Sequence, residues 1–242
     1  MPMAQQLAFA LGLAAIHLFA GRLQRLNALP RSAWLSFAGG VSVGYVFIHI
    51  FPALSDAHDT ITEHGPLFIL EHNAYLTALV GLGVFYGLEQ LAKVYSHRDT
   101  PQKRVSLGKL RGVFWIHIGS FALYNLLIGY LLVYRDNQLP EALFFFLAMG
   151  FHFLVNDHGL VQHHRQRYLM KGRWVLAAAV FVGWLIGHAI QLTDALISLL
   201  YAFVAGGLVL NVLKEELPED RHSRFLPFAG GAAVCAGLLM FA

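Results

Sequence analysis

The 242-residue sequence is poor in cysteine, poor in charge, and has no polar stretch long enough to fold by itself. Its single cysteine, Cys235, can form no intramolecular disulfide, so cysteine usage does not define a redox compartment. Charged residues make up 13% of the chain, about half their share in soluble domains. Also missing is any His-x-x-x-His pair of the kind that holds a catalytic metal on one helix face. The longest polar connection, about 93–111, is too short for a second domain.

In their place stand 57% hydrophobic residues and a mean hydropathy of +0.57. A water-soluble chain of this size cannot bury that much apolar surface. The apolar residues fall into eight runs, about 4–21, 33–54, 73–92, 112–134, 142–161, 174–192, 195–213 and 225–242. Roughly 20 helical residues match a hydrocarbon layer of about 30 Å. The runs are continuously apolar rather than alternating, which favours helices over barrel strands. The expectation is an all-α membrane protein with eight transmembrane helices forming a single transmembrane domain, 1–242.

Sixteen of the seventeen basic residues lie in or beside the odd-numbered connections, leaving Arg135 as the exception. The positive-inside rule makes those connections cytoplasmic and puts both termini on the non-cytoplasmic side. The second connection, 55–72, is acidic and carries His58, His64 and His72. It faces outward in this scheme, where Asp56, His58, Asp59 and His64 would loosely concentrate cations. The sequence pI of about 9.1 reflects topogenic charge, and nucleic acid is not an expected partner. The first run has no basic residues ahead of it and is followed by Arg22 and Arg25, so it is expected to be a retained span rather than a cleaved signal.

An internal echo supports further organisation. Ala38-Gly39-Gly40 is separated from Pro52 by eleven residues, and Ala205-Gly206-Gly207 from Pro218 by ten. These stretches lie in spans two and seven, which run in opposite directions. That fits an inverted 3+2+3 repeat, three helices on either side of a central pair. Ala-Gly-Gly is also a common helix-contact motif in membranes.

Polar groups within the spans carry the chemical information, since each is costly in hydrocarbon. Span five is the densest, with His152, Asn156, Asp157, His158, His163 and His164. Helical spacing puts His152, Asn156 and His163 near one face, with Asp157 beside it and His158 pointing away. Asp157 is the one acid well inside a span. Imidazole and carboxylate suit zinc, iron, manganese or nickel, while a hydrogen-bond network between helices would use the same groups. His17, His49, Glu89, His117, Asn125, His188, Gln191 and Asn211 are lone polar residues in other spans. Among them His49 precedes Pro52 by three residues, where the proline frees backbone carbonyls.

With these residues in view, the chain resembles the ZIP divalent-metal transporters over most of its length. His49-Ile50-Phe51-Pro52 resembles the end of the family's second span and Glu215-Glu216-Leu217-Pro218 the end of its seventh. Asn125 and Gly129 match the family's span-four motif, and Gly159 its span-five motif. Tyr124 and Leu154 replace the family's histidines, Ile128 and Val155 its carboxylates, and Leu127 and Asp157 its prolines, so the family's two-metal site is not intact.

The resemblance implies membrane transport of a divalent cation of the zinc, iron or manganese class, with no enzymatic activity. A rebuilt metal site would draw on Asp157, His158, His152, Asn125 and His49. The implied partners are the cation, the lipid bilayer and, in a homodimer, a second copy of the chain, in the cell (inner) membrane. Two alternatives stay open: a ZIP-fold sensor or partner protein without transport, and an intramembrane metal-dependent hydrolase.

The charge asymmetry generates a topology prediction. Cysteines introduced at Thr62 and Asn137 are expected to react with an impermeant thiol reagent in intact cells, and one at Gln102 is not. Labelling at position 102 from outside would reverse the orientation.

Overall fold

The computed structural model describes residues 2–23, 31–64, 74–97, 107–134, 139–216 and 224–240. Nearly all of them are helical, and no strand occurs among them. The helices are α1 (Met3–Leu23), α2 (Arg31–Tyr45), α3 (Phe51–His64), α4 (Ala74–His97), α5 (Leu107–Leu131), α6 (Leu139–Arg167), α7 (Arg173–Ala189), α8 (Asp194–Asn211) and α9 (Phe225–Met240). Six helical stretches are long and apolar enough to cross a bilayer, which is compatible with a multi-pass membrane protein. They are Ser36–Glu63, Ala74–Leu91, Phe114–Tyr134, Ala142–Val161, His164–Ala189 and Asp194–Lys214, while Met3–Phe19 and Phe225–Met240 are apolar but shorter.

The outside of the bundle suits lipid. Only 17% of the Ala74–Leu91 window is buried, and Leu76, Leu79, Val80 and Val84 are exposed along it. In water such a stripe would be a large apolar patch. The interior instead collects polar side chains, among them His17, Asn125, His152, Asn156 and Asp157.

Three π-turns interrupt the rods. Val46–Ile50 joins α2 to α3, Tyr168–Gly172 joins α6 to α7, and Val212–Glu216 extends α8. In the first, the Phe51 N–H donates to the Val46 carbonyl five residues back. Pro52, which has no N–H to give, follows directly, so the π-turn that contains His49 ends against this proline. Each π-turn adds about one residue to a turn, advancing the helix face by roughly 100°. Accordingly α2 packs on α9 whereas α3 packs on α8.

Glycine sets the helix pairing. On α2 and α9, a methyl at Gly40 would overlap the Phe228 carbonyl oxygen and one at Gly231 the Phe37 carbonyl oxygen. Four residues further along both chains, Gly44 lies against Cys235, so the two helices are parallel. On α5 and α7, Gly129 meets the Val180 carbonyl and Gly183 that of Leu126, and Gly187 then meets Tyr130. On α4 and α8, Gly81 meets the Phe203 carbonyl and Gly206 that of Ala78, and Glu89 then pairs with Lys214. The fourth pair, α1 and α6, sets Gly12 against Phe146 and Gly150 against Ile16. All four pairs are parallel. Backbone contact of this kind is how helices gain packing energy in lipid, where burial from water gives no drive.

The pairs assemble into two groups. Helices α1, α5, α6 and α7 form one, with α1 lying on both α6 and α7. Helices α2, α3, α4, α8 and α9 form the other, and α4 against α5 and α2 against α6 join them.

Several boundaries differ from the sequence expectation. Span two continues as α3 to His64, so the first half of the acidic second connection is helical, with Thr60 Oγ1 donating to the Asp56 carbonyl and Thr62 Oγ1 to that of His58. The connection expected between spans five and six is helical too. The chain turns at His164, where φ −135° and ψ 28° leave the helical region, and then runs helically to Ala189. His72, Asn137 and Gln102 lie outside the described residues, as do the side chains of His64 and His163.

The glycine contacts predict an asymmetry within one helix. Gly129→Ala is expected to destabilise the protein by about 1–3 kcal/mol through overpacking. Gly119→Ala, on the same helix with nothing within 4 Å of its added methyl, is expected to be neutral or stabilising. Melting temperatures of the two purified variants check this, and equal effects would refute it.

Candidate functional site: a buried carboxylate network

Asp157 sits on α6 with 1% of its surface exposed. Its partners come from elsewhere in the chain. His17 of α1 places Nδ1 at 2.9 Å from Oδ1 and 3.0 Å from Oδ2. Tyr168, in the π-turn, donates its hydroxyl to Oδ1 at 2.5 Å. On the far side of the imidazole, Asn125 of α5 sets Nδ2 at 3.0 Å from His17 Nε2. Tyr168, Asp157, His17 and Asn125 thus form one chain of contacts across three helices and a turn.

The turn at His164 makes this possible. Eleven residues of straight helix would separate Asp157 from Tyr168 by about 16 Å, beyond the reach of a phenol. Because the chain turns back there, Tyr168 closes over the carboxylate and is itself fully buried. Arg173, at the start of α7, donates from Nη1 to the Leu18 carbonyl at 3.2 Å, one residue past His17. Its guanidinium brings positive charge to the edge of the network.

Two proton arrangements satisfy these contacts. With the Asn125 amide donating to Nε2, the imidazole is neutral and gives its one proton to Asp157. With the amide rotated, the Asn125 oxygen accepts from Nε2–H, and the imidazole carries both protons beside the carboxylate. The Asp157 carboxylate, the His17 imidazole and the Asn125 carbonyl are also borderline or hard donors of the kind a first-row divalent cation takes.

The expected site residues separate into distinct environments. Asp157 and Asn125 meet on His17. His152, fully buried, instead bonds Asn156 (Nε2 to Nδ2, 2.9 Å) and lies beside Tyr124, ring centres 5.7 Å apart. The i to i+4 bond between His152 and Asn156 is the shared face anticipated from helical spacing. His158 is edge-on to Trp34 at 5.9 Å, and His49 stacks on Tyr45 at 4.9 Å inside the first π-turn. Among the described residues, no three His, Cys, Asp or Glu side chains are grouped to hold a metal ion. Asn156 Oδ1 is buried and lacks a hydrogen-bond partner among the described residues. A separate pair, His117 Nδ1 and His164 Nε2 at 3.1 Å, links α5 to α6 where the chain turns.

Two members of the network were not among the expected ligands. His17 is a lone histidine in the first apolar run, and nothing local ties it to a residue 140 positions away. Tyr168 lies in what the sequence presents as a basic connection.

No protein-family model and no curated protein matches the chain.

The network generates a stability order. His17→Ala removes the donor facing both carboxylate oxygens and is expected to cost about 3–5 kcal/mol, as when one partner of a buried pair is lost. Tyr168→Phe removes one donor and is expected to cost about 1–3 kcal/mol. Thermal melts in detergent measure both, and a larger loss for Tyr168→Phe would contradict the central position of His17.

Proposed function

We propose that this protein is a membrane transporter of a divalent cation of the zinc, iron or manganese class, built as a divergent ZIP-like bundle of eight spans. The observation that carries the reading is the buried Asp157. A carboxylate in an apolar bundle is retained at a cost, and an intramembrane acid among imidazole and amide groups is the usual mark of an ion path. Asp157 and His17 are the primary ligands in this reading, and Asn125, on the opposite edge of the imidazole, fixes the orientation of the His17 ring.

The helix pairing supports a transporter architecture. Span one with span five answers span six with span four, and span two with span eight answers span seven with span three. These are the correspondences of an inverted 3+2+3 repeat. In the second set, Gly40 and Gly206 each stand six residues before a π-turn and twelve before a proline, Pro52 or Pro218. The matching glycines are one position off the register obtained by aligning the two Ala-Gly-Gly triplets. Inverted repeats allow two bundles to rock against each other and expose a central site to either side. The basic connections would then be cytoplasmic and both termini external, in the cell membrane.

One observation favours a second reading, that of a ZIP-fold sensor or partner protein without transport. The Asp157 carboxylate is already met by His17 and Tyr168, as a purely structural network requires.

Uptake into proteoliposomes separates the two. For the transporter, zinc, iron or manganese flux is expected in the wild-type protein, and Asp157→Asn, nearly isosteric, is expected to fold yet lose metal binding and flux by at least about tenfold. Metal binding without flux would establish the second reading. Unchanged flux in folded Asp157→Asn would remove Asp157 from the path.

A further inference from the structure

A groove of about 410 Å³ lies between the first turns of α5 and the turn that joins α6 to α7. Gly112, Phe114 and Trp115 form one wall, and Arg167, Met170 and Lys171 the other. Its size falls within the range of about 300–1,000 Å³ that small-molecule sites occupy. The two walls differ in chemistry. Phe114 is buried at the floor, while Trp115 and Met170 are 47% and 64% exposed, so the apolar surface runs outward into the region that faces lipid. Lys171 is exposed and Arg167 half-buried. Arg165 is exposed near the end of α6, and Arg173 lies over the exposed Trp174 ring at 5.4 Å. Tryptophans beside arginine and lysine mark the depth at which hydrocarbon gives way to headgroups.

We infer that this groove binds an anionic phospholipid, with the phosphate between Arg167 and Lys171 and an acyl chain along Trp115 and Met170. A soluble anion would leave the apolar wall uncovered. A zwitterionic lipid brings a cation of its own towards two fixed positive charges. An anionic phospholipid satisfies both walls at once, since clustered basic residues at a membrane surface attract acidic headgroups. Gly112 leaves the groove open, because a methyl added there meets nothing within 4 Å. The inference does not depend on the transport reading.

The full-length protein, released from nanodiscs of equal phosphatidylglycerol and phosphatidylcholine, tests the site by native mass spectrometry of the retained lipid. The wild-type protein is expected to retain phosphatidylglycerol over phosphatidylcholine by about tenfold. Lys171→Gln, which leaves Arg167 in place, is expected to reduce that preference several-fold, while Lys171→Arg preserves it. Gly112→Phe fills the groove without altering charge and is expected to remove the retained lipid. Thermal melts confirm that each variant is folded. Equal retention of the two lipids by the wild type, or an undiminished preference in folded Gly112→Phe, would overturn the site. Displacement of the lipid by millimolar inorganic phosphate would also overturn it, in favour of a soluble anion.

Discussion

A carboxylate within an apolar bundle must be compensated, and the chain's central arrangement follows from how Asp157 is met. Desolvating an unpaired carboxylate costs several kcal/mol, a large fraction of the roughly 5–15 kcal/mol by which most folds are stable. Here the compensation is assembled from distant sequence: an imidazole from α1, a phenol from the turn after α6, and a guanidinium at the edge from α7. Each donor fixes the position of an element. Removing Asp157 from the interior would leave His17 Nδ1 without the carboxylate it faces, so the acid and its partners hold one another in place.

Around this polar centre the packing is set by the absence of side chains. Six glycines at three crossings bring backbones together so closely that even a methyl is excluded. In lipid, large apolar residues gain little by leaving one hydrocarbon environment for another, which is why Leu, Val and Trp are found on the outside of α4 and α7. The hydrophobic pattern thus defines where the helices are, and the glycines define which helices touch.

That division explains what the sequence could disclose. The apolar runs locate the helices well, because composition and length alone decide what can lie in a bilayer. Their ends are less legible. His64 ends a helix that continues past Pro52 because a π-turn absorbs the proline, and the basic residues between spans five and six sit on a helix rather than a loop. Asp157 stands out from residue type and position alone. Its partners do not, since helical spacing relates His152 to Asn156 but says nothing about α1 against α6. His49 and His158, two of the candidate ligands, lie against the aromatic rings of Tyr45 and Trp34, contacts that helical spacing does not reveal.

Tyr168 gives the turn after α6 a mechanical meaning. Its ring lies at the bundle's centre, while Arg167 on one side and Lys171 three residues on line a groove at the periphery. The five-residue π-turn is therefore a short lever with one arm at the peripheral groove and the other on a carboxylate. Any rotation of that turn changes how many donors Asp157 retains, so the composition of the surrounding lipid has a physical route to the charge at the core.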